Sequence, residues 1–157
     1  MNQHSDTIQI LIDSEVGRDI PEEYLLAVAN IAEECTFKKG MDIIREGSPS
    51  RDLYLVKKGV VSIKLSLPLI HFNEEVIAKM KENEVFGEFS LVTGKTRSAS
   101  VKADTAVTLF RIDYDSLTDL LESNTHLGYL LMRNIAAIIS NKIENNHKLT
   151  RKMMLGW

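Results

Sequence analysis

Phe86-Gly87-Glu88-Phe89-Ser90-Leu91-Val92-Thr93-Gly94-Lys95-Thr96-Arg97-Ser98-Ala99-Ser100-Val101 decides how the rest of the chain is read. It opens on a glycine beside an acid and runs through a short apolar turn to a second glycine. It closes on an arginine and small residues that lead into a strand-like run. Backbone N–H groups at the start of a helical turn are unpaired and favour anions. Gly87 lets that backbone approach a ligand with no Cβ in the way. Arg97 adds a planar, fixed charge that matches phosphate oxygens, and Ser98 adds a hydroxyl donor. Glu88 would repel a phosphate, but a carboxylate accepts hydrogen bonds and suits a sugar hydroxyl. An acid and an arginine nine residues apart therefore point to a small ligand with a hydroxyl near a phosphate. Neither residue carries this alone, since Gly-Glu pairs and lone arginines are ordinary surface features.

The chain around this stretch has 157 residues, enough for one domain with a sizeable core. It is 44% hydrophobic and 26% charged, with a formal net charge of −3, which argues against a nucleic-acid surface. A single cysteine, Cys35, excludes an internal disulfide framework and reads as a core thiol at a helix-to-strand boundary. No signal-peptide pattern and no apolar run of about 18 residues occurs, so a cytoplasmic chain without a membrane span is expected.

In chain order, Met1–Thr7 are polar and read as loose, and Ile8, Ile10 and Ile12 are undecided between a strand and a helical entry. Pro21-Glu22-Glu23 starts a helix, with acids at its positive end, that the apolar spacing carries to Glu34. Glycines 40, 47 and 59 then punctuate short runs, followed by alternating runs at Val60–Leu67 and Glu75–Lys81. Such spacing predicts an all-β sandwich or jelly roll. Further strands are expected at Arg97–Lys102 and Ala106–Ile112, then a short helix capped by Asp113 or Asp115 through Glu122. A long helix from His126 to Arg151 carries two apolar stripes. Leu127, Leu130, Leu131 and Ile138 form one; Ile135, Ile139, Ile143 and Met153 form the other. Leu67-Pro68-Leu69-Ile70-His71-Phe72 is an apolar hairpin tip, expected to fold back on the roll or to serve as a partner contact.

The opening stretch, together with Gly40-Met41-Asp42-Ile43-Ile44-Arg45-Glu46-Gly47 and Leu53-Tyr54-Leu55-Val56-Lys57-Lys58-Gly59-Val60, resembles the cyclic nucleotide-binding domains. That family includes the catabolite activator protein and the regulatory subunit of the cyclic AMP-dependent kinase. The resemblance runs from Gly40 through Tyr114, and the acid-to-arginine spacing matches without a gap. It implies a mainly β fold: a jelly-roll-like double-stranded β-helix with an N-terminal helix and a long C-terminal helix. The expected division is an N-terminal segment 1–20, a nucleotide-binding roll 21–122, and a C-terminal helix and tail 126–157. The family has a glycine-rich turn before its Phe-Gly-Glu; here Asn83, which tolerates the left-handed conformation, stands in.

By the same resemblance the opening stretch is the family's phosphate-binding cassette, in which Glu88 takes the ribose 2′-hydroxyl and Arg97 the cyclic phosphate. Ser98, Ala99 and the backbone of Gly87, Phe89 and Ser90 complete the ligand set. Val61, Ile63 and Val101 are candidate base contacts inside the roll, and Asn145 and Asn146 could cap the base. A threonine after the arginine goes with cyclic GMP in the family, so Ser98 favours cyclic AMP. The second apolar stripe implies a homodimer through the C-terminal helix, and the domain could belong to a larger regulatory protein. No helix-turn-helix is expected after the long helix, so no nucleic acid is expected as a partner of this chain. The four histidines are scattered, so no metal is expected. No catalytic elbow, Cys/His pair or Walker loop appears, so no enzyme is expected. The alternative is a β-roll that serves protein interaction or dimerisation and binds no nucleotide. Arg97→Ala is expected to lose at least tenfold in affinity for cyclic nucleotide and to keep its fold.

Overall fold

The computed structural model describes residues 3–66 and 74–155. The apolar hairpin tip Leu67–Phe72 lies outside them. Helices α1 (Gln3–Asp13) and α2 (Glu22–Ile31) are joined by a 3-10 turn, Glu15–Gly17. Strands β1 (Ala32–Phe37), β2 (Asp42–Ile44), β3 (Leu53–Lys58), β4 (Val61–Ser66), β5 (Glu74–Met80) and β6 (Val85–Phe86) follow. Then come α3 (Glu88–Thr93), β7 (Ser100–Ala103), β8 (Val107–Ile112), α4 (Tyr114–Ser123) and α5 (Thr125–Leu155). The strands form two antiparallel four-stranded sheets, ordered β1-β8-β3-β6 and β2-β7-β4-β5. This is the helix-flanked jelly roll expected from the sequence.

Two apolar clusters hold it together. Val56, Val61, Phe86, Val101 and Leu109 fill the space between the sheets. Leu11, Leu25, Leu55, Phe110, Leu117, Leu127 and Ile135 join the helices to the outer face of the first sheet. Each fully buried side chain of this size contributes about 1.5–3 kcal/mol relative to exposure.

Local patterns misled at four places, each for a physical reason. Residues 3–7, read as loose, are the first part of α1, and Thr7 is buried; the undecided isoleucines lie on the same helix, which Leu11, 1% exposed, anchors while Ile12 faces solvent. The helix expected to reach Glu34 stops at Ile31, because Ala32–Phe37 pair with β8 in register from Ala32↔Ile112 to Phe37↔Val107. Strand pairing there outweighs helix propensity, and Cys35 sits half-buried on β1 opposite Leu109. The strand expected at Arg97 begins only at Ser100, because the Arg97 backbone pairs with a loop: its N–H donates to Ser48 O (2.9 Å) and its carbonyl accepts from Gly47 N (2.8 Å). On α5, Ile135 belongs with the buried stripe of Leu127, Leu131 and Ile138, leaving Ile143 and Met153 exposed.

Other local signals hold. Asn83 is left-handed, φ +68°, in the turn before β6. Asp113 caps α4 by accepting from Ser116 N at 2.9 Å. Asn124, not read as a cap from the sequence, caps α5, its Oδ1 accepting from Leu127 N at 3.1 Å.

Candidate functional site

The quoted stretch folds as a left-handed glycine, the short helix α3, a second left-handed glycine at Gly94, and a return to β7. Gly87 has φ +87°, and a Cβ there would lie 2.7 Å from Asp52 O and 2.8 Å from Arg97 Nη1. Only glycine fits both the backbone angle and the close approach.

Arg97 is 3% exposed although it carries a full charge. Its Nε donates to Ser50 Oγ (3.0 Å), Nη1 to Gly87 O (3.0 Å) and Nη2 to Asp52 O (2.7 Å). A guanidinium has five N–H donors, so these three bonds hold its plane and leave two uncommitted. Burial pulls the guanidinium below its ordinary pKa, opposed by Tyr54, Asp52 and Glu88; an arginine remains cationic regardless. Tyr54 stacks on Phe86 with centroids 5.1 Å apart, and the Arg97 guanidinium lies 6.0 Å from its ring.

Glu88 is 6% exposed. Its Oε1 accepts from Lys142 Nζ of α5 at 2.8 Å, and the same ammonium donates to Val85 O at 2.9 Å. Its other oxygen, Oε2, is buried and accepts nothing. A buried acceptor without a donor is costly, commonly about 1–3 kcal/mol.

Both side chains line one cavity of about 720 Å³ between the second sheet, the cassette stretch and α5. Gly87, Phe89, Ser90, Ser98 and Ala99 line it as well. Of the candidate base contacts, Ile63, Val101, Asn145 and Asn146 are at its wall. Val61 is not: it is fully buried in the intersheet core, where it pairs with Met80 and Ala103. Sequence reading missed Ile44, Ala78, Met80 and Lys142. It also missed Asn141 and Leu149, for which a signal exists. Ile138, Asn141, Asn145 and Leu149 recur at three- and four-residue spacing, one helical face, and all four line the cavity. Among the described residues no cluster of His, Cys, Asp and Glu could hold a metal ion, and no helix is long and apolar enough to cross a membrane.

The family model described as "Cyclic nucleotide-binding domain" matches residues 34–124, more than half of the chain. The chain belongs to the cyclic nucleotide-binding domain family. The potassium/sodium hyperpolarization-activated cyclic nucleotide-gated channel 2 of Mus musculus is 37% identical over 86 residues, 55% of this chain and 9% of the channel. Glutaminase 2 of Bradyrhizobium diazoefficiens is 26% identical over 125 residues, 80% of this chain and 19% of that protein. The chain thus spans a small part of the curated relatives it matches. A cyclic nucleotide-binding domain from Methylobacillus flagellatus superposes with a TM-score of 0.81 at 20% identity, covering 92% of this chain and 80% of that one. The cavity bounded by Glu88, Arg97 and α5 lies where the family stretch and the long helix meet.

Proposed function

We propose that this domain is a sensor for cyclic AMP, taken ahead of cyclic GMP, and that it passes occupancy of the cavity to α5. The observation that carries the reading is that Arg97 and Glu88, whose buried Oε2 has no donor, line one cavity. A ribose 2′-hydroxyl donating to Oε2 would complete that carboxylate. The cyclic phosphate would take the two uncommitted N–H groups of Arg97, the Ser98 hydroxyl, and the backbone around Gly87, Phe89, Ser90 and Ala99. Ile63 and Val101 offer the base an apolar wall, and Asn145 and Asn146 offer amides from α5. Ser98 in place of a threonine is the basis for the preference for cyclic AMP.

Lys142 is the proposed relay. It already bridges Glu88 and Val85 from α5, so a hydroxyl arriving at Glu88 changes the environment of the bond that holds the helix. The role is binding and regulation, without turnover, within a larger regulatory protein. Cys35, a free thiol, suits a reducing compartment such as the cytoplasm.

A second copy of the chain is the proposed partner of α5. Tyr129, Met132, Ile143 and Met153 are exposed, and with Ile139 they fall at the first and fourth positions of successive heptads, the pattern of a coiled-coil seam. Light scattering would give a dimer mass that Ile143→Glu reduces to a monomer; a monomeric wild type would remove this part.

Calorimetric titration with cyclic AMP, cyclic GMP and linear AMP tests the whole. Saturable heat with cyclic AMP, weaker with cyclic GMP, is expected. One observation favours the second reading, a roll that serves interaction alone: Oε1 of Glu88 is already paired within the chain. A ligand at 100 times its dissociation constant stabilises the native state by about 2.7 kcal/mol. An unmoved thermal midpoint at millimolar cyclic nucleotide would select that second reading.

A further inference from the structure

Arg51 lies outside the cavity, in the loop between β2 and β3, yet it grips the cassette. Its Nε donates to Ser90 O at 3.1 Å and its Nη2 to Leu91 O at 2.9 Å. Both carbonyls belong to the last turn of α3, where a cation is favoured by the exposed carbonyl dipoles. The face of the same guanidinium lies 3.8 Å from the ring centroid of Tyr114, the first residue of α4. The next residue, Asp52, accepts from Tyr114 N through Oδ1 (3.0 Å) and from Arg97 Nη2 through its carbonyl (2.7 Å). Ser50 accepts from Arg97 Nε. Three consecutive residues therefore touch the buried arginine, the end of the cassette helix and the start of α4. Helix α4 packs on α5.

We propose that Arg51 is a positioning residue that locks α3 to the start of α4, so that ligand in the cavity is felt at α4 through Arg51 and Tyr114. This rests on the cyclic nucleotide reading above. The planar fork matters: it holds two carbonyls at its edge while its face lies on a ring, which a lysine ammonium cannot do together. The lock is separate from Lys142, which reaches α5 directly.

The test is amide hydrogen exchange across α4, with and without saturating cyclic AMP, alongside calorimetric affinity. In the wild type, ligand is expected to change exchange at residues 115–120 several-fold. Arg51→Met is expected to bind about tenfold more weakly and, once saturated, to show α4 exchange within twofold of its own ligand-free state. Arg51→Lys is expected to recover part of the affinity and little of the α4 response. Tyr114→Leu keeps both bonds to α3 and removes only the ring. It is expected to bind within threefold of wild type and to lose the α4 response, and it serves if Arg51→Met does not fold. A full α4 response in saturated Arg51→Met or Tyr114→Leu would overturn the inference and leave the nucleotide reading standing. Absence of binding by the wild type would remove both.

Discussion

Lys142 Nζ lies 2.8 Å from Glu88 Oε1, an ion pair that fastens the long C-terminal helix to the acid of the cassette. The Glu88 side chain is 8% exposed and that of Lys142 is 31% exposed. Removing one member of a buried pair costs more than the pair contributes, because the other is left uncompensated. With Lys142 partly in water, Lys142→Met is expected to cost about 1–2 kcal/mol. Thermal melts should show a fall of roughly 2–4 °C per kcal/mol for a chain of this size. Glu88→Gln in the same background should recover part of it; an unchanged midpoint in the single variant would show that the pair does not hold the helix.

The free Oε2 of Glu88 makes a separate, ligand-side prediction. A hydrogen bond to a charged group is worth about 1.5–3 kcal/mol, or roughly 10- to 150-fold in affinity. Glu88→Ala should lose that much for cyclic AMP. The 2′-deoxy analogue should lose a similar factor on the wild type and little more on the variant. Independent, additive losses in calorimetry would mean that the hydroxyl and Glu88 do not meet.

Arg97→Ala is expected to lose more than affinity. Three acceptors, Ser50 Oγ, Gly87 O and Asp52 O, lose their donor together. The variant is expected to keep its fold, as the sequence suggests, but at reduced stability. Stability should fall by about 1–2 kcal/mol, because Asp52 and Gly87 are half-buried and Ser50 is exposed, so water can replace part of what the guanidinium gave. Chemical denaturation measures this. Arg97→Lys should keep the charge without the fork and fall between the two.

Gly87→Ala tests the approach of the cassette to Asp52 and Arg97. The added Cβ meets both at under 3 Å, at φ +87°. Left-handed backbone alone costs a non-glycine residue roughly 1–3 kcal/mol. Lower stability and at least tenfold weaker cyclic nucleotide binding are expected; a variant that binds as the wild type does would show that Gly87 is not in close contact.

Asp113 gives the pH dependence. Ser116 N and Ser116 Oγ both donate to its Oδ2 at 2.9 Å, and these bonds hold its carboxyl below the ordinary aspartate value. A lowered folded pKa adds stability that is present above the unfolded value, about 3.9, and is lost as pH falls through the folded value. At pH 7 Asp113→Ala should therefore melt below the wild type. The gap should narrow as pH is taken below about 4; a gap independent of pH would assign the effect to something other than the carboxylate.

Short-range chemistry was legible in the amino-acid order. Glycines 87 and 94, the Asp113 cap and the left-handed Asn83 all act within a turn of their own backbone, and the acid and arginine stand only nine residues apart. The alternating runs announced the roll, because a strand with one buried face must repeat every two residues. Tertiary structure decided the rest. Ala32–Phe37 became a strand because β8 was there to pair with it, and Val61 went to the core because the intersheet space lay on its side of β4. Lys142, 54 residues from Glu88, and Asp52, 45 residues from Arg97, carry no local mark of their partners. Contacts that close over such distances depend on where whole elements pack, and no spacing along the chain records that.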